Sequence, residues 1–381
     1  MSKKWSKKKW LMYIKDMENS NIESLYVHIP FCNSICYYCD FSRCLYQYSL
    51  AERYLKHLFK ELDLIKQNSF KTIYIGGGTP SCLKEEQLEK LLSYLSRFKD
   101  VSEYTIEVNC ESFSVEKAIL FKKYGINRVS IGVQSFDDIL LNKIGRKHTS
   151  HQVYQTIDLL REIGIDNISI DLIFGFHNQS LSELLKDLQT AVSLPVKHIS
   201  IYDLEIYPSS KFGLENYQKV DMQTSFIMYQ TIIDFLNSHG FTQYEISNFA
   251  IENYQSIHNK TYWYYDNYYG AGLSASGKIG KYRYQNTSNF VEYLNDHYLQ
   301  EKTILHDNDL IFEALMMNLR LNEGIDIKRF DKRFNCSILE KYSNAIEKNL
   351  NKGLIEIKDN HLKTTYQGIF VLNDILIDFC D

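Results

Sequence analysis

The sequence predicts an α/β protein: a partial parallel (β/α)6 barrel followed by a smaller, mostly helical C-terminal domain of winged-helix-like type. Three observations carry this expectation. Short β-rich runs alternate with amphipathic stretches from residue 25 to about 245, the segments richest in reactive side chains each follow one of those runs, and the alternation then stops. The runs lie at 25–29, 72–75, 104–108, 128–131, 167–172 and 198–202, with helical periodicity between them at 51–66, 84–97 and 181–192. Strands alternating with helices need crossover connections, and right-handed crossovers pair neighbouring strands in parallel. In β/α barrels the strand C-termini and the loops after them build the active site, so groups distant in sequence should converge there.

After residue 245 an aromatic, glycine-containing loop region is expected over 258–280. Residues 305–381 read as helices, a run at 353–358, a turn at Asp359-Asn360 and a run at 362–365, which is the winged-helix order. A concentrated basic recognition helix is lacking there, so a structural or capping role is expected rather than DNA binding. The expected divisions are a basic tail (1–23), a barrel (24–250), an aromatic connecting region (251–304) and the C-terminal domain (305–381).

Composition narrows the function classes. With 381 residues, 44% of them hydrophobic, the chain can bury one large core and a smaller one. A formal charge of -4 supplies no basic field for nucleic acid, so an anionic ligand must be held by local groups. No apolar run is long enough to span a bilayer, and no apolar stretch of signal-peptide type follows the basic start, which predicts a cytoplasmic protein. Eight unevenly spaced cysteines suit a reducing compartment. Lys3, Lys4, Lys7, Lys8 and Lys9 interleaved with Trp5 and Trp10 suit either a weak contact with an anionic membrane surface or a solvated tail.

The most telling feature is the run Tyr26-Val27-His28-Ile29-Pro30-Phe31-Cys32-Asn33-Ser34-Ile35-Cys36-Tyr37-Tyr38-Cys39. Three thiolates can hold three irons of a [4Fe–4S] cubane and leave the fourth iron open to a substrate or cofactor. Cys36 and Cys39 alone would also suit a dithiol redox pair or half of a zinc site, but neither explains Cys32. Cys44 could close the cluster only through a second loop reversal within five residues.

Other groups gain meaning from position. Gly76-Gly77-Gly78-Thr79-Pro80 follows a run, has neither Walker nor GxGxxG spacing, and lets a ligand approach the backbone with no Cβ in the way. Glu107, Gln134 and Arg146 singly read as surface or turn residues. Asp171 interrupts an apolar run, and a buried carboxylate there needs a partner such as a ribose hydroxyl or Arg146. His258, in His258-Asn259-Lys260-Thr261-Tyr262-Trp263, sits beside aromatics that could stack on a flat ligand while the imidazole ligates iron.

Taken together, 26–39, 76–81, 106–109, 128–136, 169–172 and 244–250 resemble the radical S-adenosylmethionine (SAM) family that includes oxygen-independent coproporphyrinogen III oxidases and heme chaperones. The resemblance spans about residues 24–375. It implies that the open iron of a [4Fe–4S] cluster on Cys32, Cys36 and Cys39 binds the amino and carboxylate groups of SAM. By the same resemblance Tyr26, Gly77 and Glu107 match contacts to this SAM. Tyr38, Gly78, Thr79, Gln134, Arg146 and Asp171 match positions that contact a second one in the oxidase. A flavodoxin or ferredoxin is the kind of electron donor implied.

Two departures favour the chaperone branch over the oxidase. Cys39 is followed by Asp40-Phe41-Ser42 instead of a further cysteine, and only about two dozen residues precede Tyr26. Residues 258–263 also match the HNxxYW pattern of that branch, which implies His258 as the heme contact. Ser256-Ile257 in place of Cys-Arg, Phe176-His177-Asn178 in place of Leu-Pro-Gly, and Cys110 in place of proline depart from both branches. The expectation is a heme-binding, cluster-carrying chaperone that passes heme to an acceptor protein; the alternative is a radical oxidase that removes propionate carboxylates from a porphyrinogen.

Overall fold

The computed structural model describes residues 21–380, so the lysine–tryptophan tail and the membrane-surface contact expected of it lie outside the described residues. Strands form at each of the six expected runs: β1 (Ser24–Ile29), β2 (Thr72–Gly77), β3 (Glu103–Val108), β4 (Arg128–Gln134), β5 (Asn167–Phe174) and β6 (His198–Asp203). They pair in parallel in sequence order. Their register keeps parity across the sheet, with Val27 beside Ile75, Ile75 beside Ile106 and Ile106 beside Val129. One face is therefore a continuous apolar layer. The other collects the intervening residues Tyr26, Tyr74, Thr105, Ser130, Ser169 and Asp171, which gives a polar lumen.

Helices cover the apolar face: α1 (Tyr48–Leu62), α2 (Glu85–Leu95), α3 (Val115–Lys123), α4 (Ser150–Glu162), α5 (Leu181–Ser193) and α6 (Met222–Ser238). In α2 the buried residues Leu88, Leu91, Leu92 and Leu95 fall at helical spacing and form one apolar stripe. Ser114, Ser180 and Asp221 start α3, α5 and α6 by accepting bonds from the backbone N–H groups of Lys117, Glu183 and Thr224.

The sheet extends beyond the expected barrel. At one edge β7 (Thr242–Glu245) and β8 (Asn248–Ala250) add antiparallel to β6. At the other, β9 (Tyr268–Ala271) pairs in parallel with the free side of β1, and β10 (Ser276–Ile279), β11 (Tyr282–Asn286) and β12 (Leu299–Ile304) continue as a meander. The result is a 12-stranded sheet. The loop expected over 258–280 is thus replaced by a short helix, α7 (Ile257–Trp263), and by β9 and β10. Gly270 looks like a loop residue in sequence, yet it serves close strand approach: a Cβ there would lie 1.9 Å from the Ser276 carbonyl oxygen.

The C-terminal domain contains α8 (Asp307–Asn318), β13 (Ile325–Asp326), α9 (Ile327–Phe334), α10 (Ser343–Asn351), β14 (Ile355–Lys358) and β15 (His361–Thr364). The three strands form a separate sheet in the order β13-β15-β14. Asp359 and Asn360 turn the hairpin with φ of 50° and 65°, the left-handed pair that a tight hairpin requires. Leu315, Ile325, Phe330, Leu362 and Ile375 make this domain's own core, which also takes in Tyr265 from just beyond α7. The Asn318 amide donates to the Trp263 carbonyl at 2.9 Å, and the Arg329 guanidinium donates to both oxygens of Asp266 at 3.0 and 2.9 Å.

Candidate functional site

The thiol loop leaves β1 at Pro30 and is held at both ends by backbone bonds. Cys44 N–H donates to the Pro30 carbonyl at 2.7 Å, Tyr46 N–H to Cys32 at 2.9 Å, Tyr37 N–H to Ile144 at 3.0 Å, and Phe212 N–H to Tyr37 at 2.9 Å. Cys32 is buried, while Cys36 and Cys39 are partly exposed. The Thr79 hydroxyl donates to Cys32 Sγ and the Arg146 guanidinium to Cys36 Sγ, both at 3.6 Å. Arg43 donates to the Cys39 carbonyl. Burial pushes the Cys32 thiol up to about 12 and raises that of Cys39, against the opposing pull of Arg43 on both. Iron binding must displace those protons.

Three soft donors on one loop, with two guanidiniums to offset thiolate charge, fit an iron–sulfur cluster. Among the described residues no three His, Cys, Asp or Glu side chains converge on one ion's position, and a cubane, whose irons each take a separate thiolate, needs no such convergence. Cys44 instead packs against the main apolar core.

Beside the thiols, β2 ends in the glycine run. A Cβ on Gly78 would lie 2.7 Å from the Phe31 carbonyl oxygen and 3.1 Å from Cys32 Sγ, so only glycine lets this strand end meet the cysteine loop. Gly77 has φ of 117°, and its N–H donates to Glu107 Oε2 at 3.0 Å. Tyr74 OH donates to Glu107 Oε1 at 2.7 Å. Burial, reinforced by the nearby Asp171 charge, pushes the Glu107 carboxyl up to about 7. The Asn109 amide donates to Thr79 Oγ1 at 2.9 Å and accepts from Arg146 at 2.9 Å, and Arg146 also reaches the Gly132 carbonyl. Gln134, at φ of 70°, turns its amide towards Gly132.

The structure therefore gathers Cys32, Cys36, Tyr38, Gly78, Thr79 and Arg146 around the thiol loop, with Gly77 and Glu107 adjoining through β2. The Tyr38 hydroxyl feels the Cys36 and Arg146 charges, and burial keeps it protonated. Tyr26 OH bonds His28 Nδ1 at 3.0 Å. The Asp171 oxygens accept from the Ser130 hydroxyl at 3.2 and 3.1 Å, and Arg146, one of the two partners the sequence left open, acts on it only as a distant charge.

His258 stands apart from this group. It lies in helix α7, 1% exposed, at the opposite end of the barrel, where Nδ1 meets Thr72 Oγ1 and Nε2 meets Tyr262 OH, both at 2.8 Å. Thr72 opens β2 and Gly77 closes it, which puts about 16 Å of strand between histidine and glycine run. The Glu103 carboxylate anchors the start of α7 by accepting from the Ile257 and His258 N–H groups at 2.9 and 2.8 Å. Burial pulls the imidazole down to about 3, so it is neutral.

A cleft of about 480 Å³ connects the two ends. Its walls include Tyr26 and His28 of β1, Asp40, Phe41 and Ser42 just after Cys39, Tyr262 of α7 and Tyr268 of β9. That volume suits a medium-sized organic ligand. The sequence did not single out His28, Arg43 or Tyr268, whose positions depend on β9 closing against β1; only Arg43 had a local signal, four residues after Cys39.

The chain matches the model of the radical SAM superfamily over residues 26–191 and that of the HemN C-terminal domain over residues 305–371. The protein called heme chaperone HemW in Bacillus subtilis (strain 168) is 36% identical over 93% of this chain and 98% of its own. The heme chaperone HemW of Lactococcus lactis subsp. lactis (strain IL1403) is 34% identical over 93% and 97%. In fold, coproporphyrinogen III oxidase (HemN) from Escherichia coli superposes with a TM-score of 0.86 at 21% identity, covering 99% of this chain and 94% of that one. Fold and thiol loop define a radical SAM protein, a class whose cofactors are a [4Fe–4S] cluster and SAM. Within that class the chain belongs to the heme chaperone HemW family. Among the described residues no helix is long and apolar enough to cross a membrane.

Proposed function

We propose that this protein binds heme and hands it to an acceptor protein while carrying a [4Fe–4S] cluster on Cys32, Cys36 and Cys39 with SAM at the open iron. One observation carries the reading: the 480 Å³ cleft shares its wall between the cluster loop, at Asp40, Phe41 and Ser42, and Tyr262 of the HNxxYW segment. A flat macrocycle there stacks on Phe41 and Tyr268 and reaches hydroxyls of Ser42, Ser274 and Ser276.

When bound, the cluster supplies a one-electron donor beside the SAM sulfonium. The chain's residues do the rest. Tyr26, Gly77 and Glu107 receive the SAM at the open iron, Gly77 through a backbone free of any Cβ. Arg146 steadies Cys36 and the loop, and Tyr38, Gly78, Thr79, Gln134 and Asp171 line the neighbouring lumen. A small electron-transfer protein such as a flavodoxin or ferredoxin reduces the cluster.

Anaerobic reconstitution followed by heme titration tests this on one sample. The expected result is one heme per chain with the cluster retained, and no decarboxylation of coproporphyrinogen III with SAM and reductant. Efficient turnover of that porphyrinogen would replace the chaperone reading with the oxidase one.

A further inference from the structure

A hydroxyl chain at the barrel floor holds His258 from behind. Thr261 donates to the Ile257 carbonyl at 3.3 Å and shares a 2.8 Å contact with Ser24, which accepts from Thr72 at 2.8 Å. Thr72 Oγ1 meets His258 Nδ1 at 2.8 Å, and Nε2 meets the phenol oxygen of Tyr262 at 2.8 Å. A neutral imidazole has one N–H, so one ring nitrogen donates and the other accepts.

Exposure then separates the two partners. His258 is 1% exposed, with both ring nitrogens engaged and Tyr74 packed against its face at 5.1 Å. Tyr262 is half-buried and lines the 480 Å³ cleft, braced edge-on by Tyr268 at 4.6 Å. Tyr262 lines the cleft and His258 does not.

From this geometry we infer that Tyr262, rather than His258, is the axial ligand to ferric heme, and that His258 is the positioning residue behind it. The inference rests on the heme-binding reading above and names the atom that performs it. Tyrosine oxygen is an established donor to heme iron, and its hydrogen bond to the imidazole orients it. The Fe–O bond forms as the O–H bond breaks, the proton leaves to solvent through the cleft, no electron is transferred, and His258 stays neutral. Thr72, Ser24 and Thr261 hold the ring so that Nε2 stays aimed at Oη.

Resonance Raman and optical spectra of the ferric heme complex, in the full chain with its cluster, decide the matter. The wild type should show the iron–phenolate stretch and its charge-transfer band. Tyr262→Phe should lose both while keeping its fold, since only one oxygen is removed. His258→Asn should keep the iron–phenolate stretch at a shifted frequency, a change that a merely structural role would not produce. Where His258→Asn folds poorly, Thr72→Val disturbs the same imidazole from behind and should shift that stretch in the same direction. A phenolate band absent from the wild type, or a spectrum unchanged in Tyr262→Phe, overturns the assignment. If the wild type takes up no heme at all, the heme-binding reading fails and the ligand assignment falls with it.

Discussion

Gly78 sets how closely the second strand can approach the cluster loop. Because a Cβ there meets Phe31 backbone at 2.7 Å and Cys32 Sγ at 3.1 Å, Gly78→Val should displace the first thiol. The expected outcome is loss of the visible absorption of the reconstituted cluster and of SAM binding, checked by anaerobic spectra and equilibrium dialysis; unaltered spectra would contradict the packing. Cys32→Ala, Cys36→Ala and Cys39→Ala should each abolish that absorption and Cys44→Ala should keep it, because Cys44 packs against the core. The thiols were legible in the sequence because ligand spacing is local. The support given by Asn109 and Arg146 to that loop was legible only in part: the sequence left Arg146 open as one partner for Asp171, beside a ribose hydroxyl, but it spends its donors on Asn109, Gly132 and Cys36. Hydrogen-bond choices among groups on different strands depend on register, which no single run of sequence carries.

At the scale of elements, the six parallel strands could be read from the alternation of β-rich runs with amphipathic helical stretches, because a helical crossover between successive strands pairs them in parallel. The parallel pairing of β9 with β1 could not: Ser24 meets Tyr268, far along the chain, and the partner is chosen by tertiary packing. Glu61 of α1 ties this extension to the barrel. Buried at 1% exposure, it accepts from Gly272 N–H at 2.9 Å, the Asn286 amide at 2.6 Å and the Tyr293 hydroxyl. Burial pushes its carboxyl up from 4.5 to about 7. The folded state then holds more protons than the unfolded state between those values. Its contribution is present in full below about 4.5 and is lost as pH rises through about 7. Between pH 5.5 and 8 the wild type should lose about 2 kcal/mol more stability than Glu61→Gln, a difference that denaturant unfolding of equally reconstituted samples measures. Parallel pH profiles for the two proteins would contradict an ionisable, buried Glu61.

At the scale of the molecule, the winged-helix order in the sequence was legible because its hairpin turn, Asp359-Asn360, needs left-handed backbone that those residues tolerate. Its docking was not, since Arg329 and Asn318 reach Asp266 and Trp263 only after both units fold. The central claim is that one cleft, walled by the cluster loop on one side and α7 on the other, receives the heme. Hydrogen–deuterium exchange of the cluster-loaded protein with and without heme tests it most directly. The account predicts slowed exchange at 40–42, 262–268, 274–276 and 285–288, the segments that contain the cleft walls, with 305–381 unchanged. Protection confined to the lumen around Gln134 and Asp171, or to the C-terminal domain, with no change in the cleft, would contradict it.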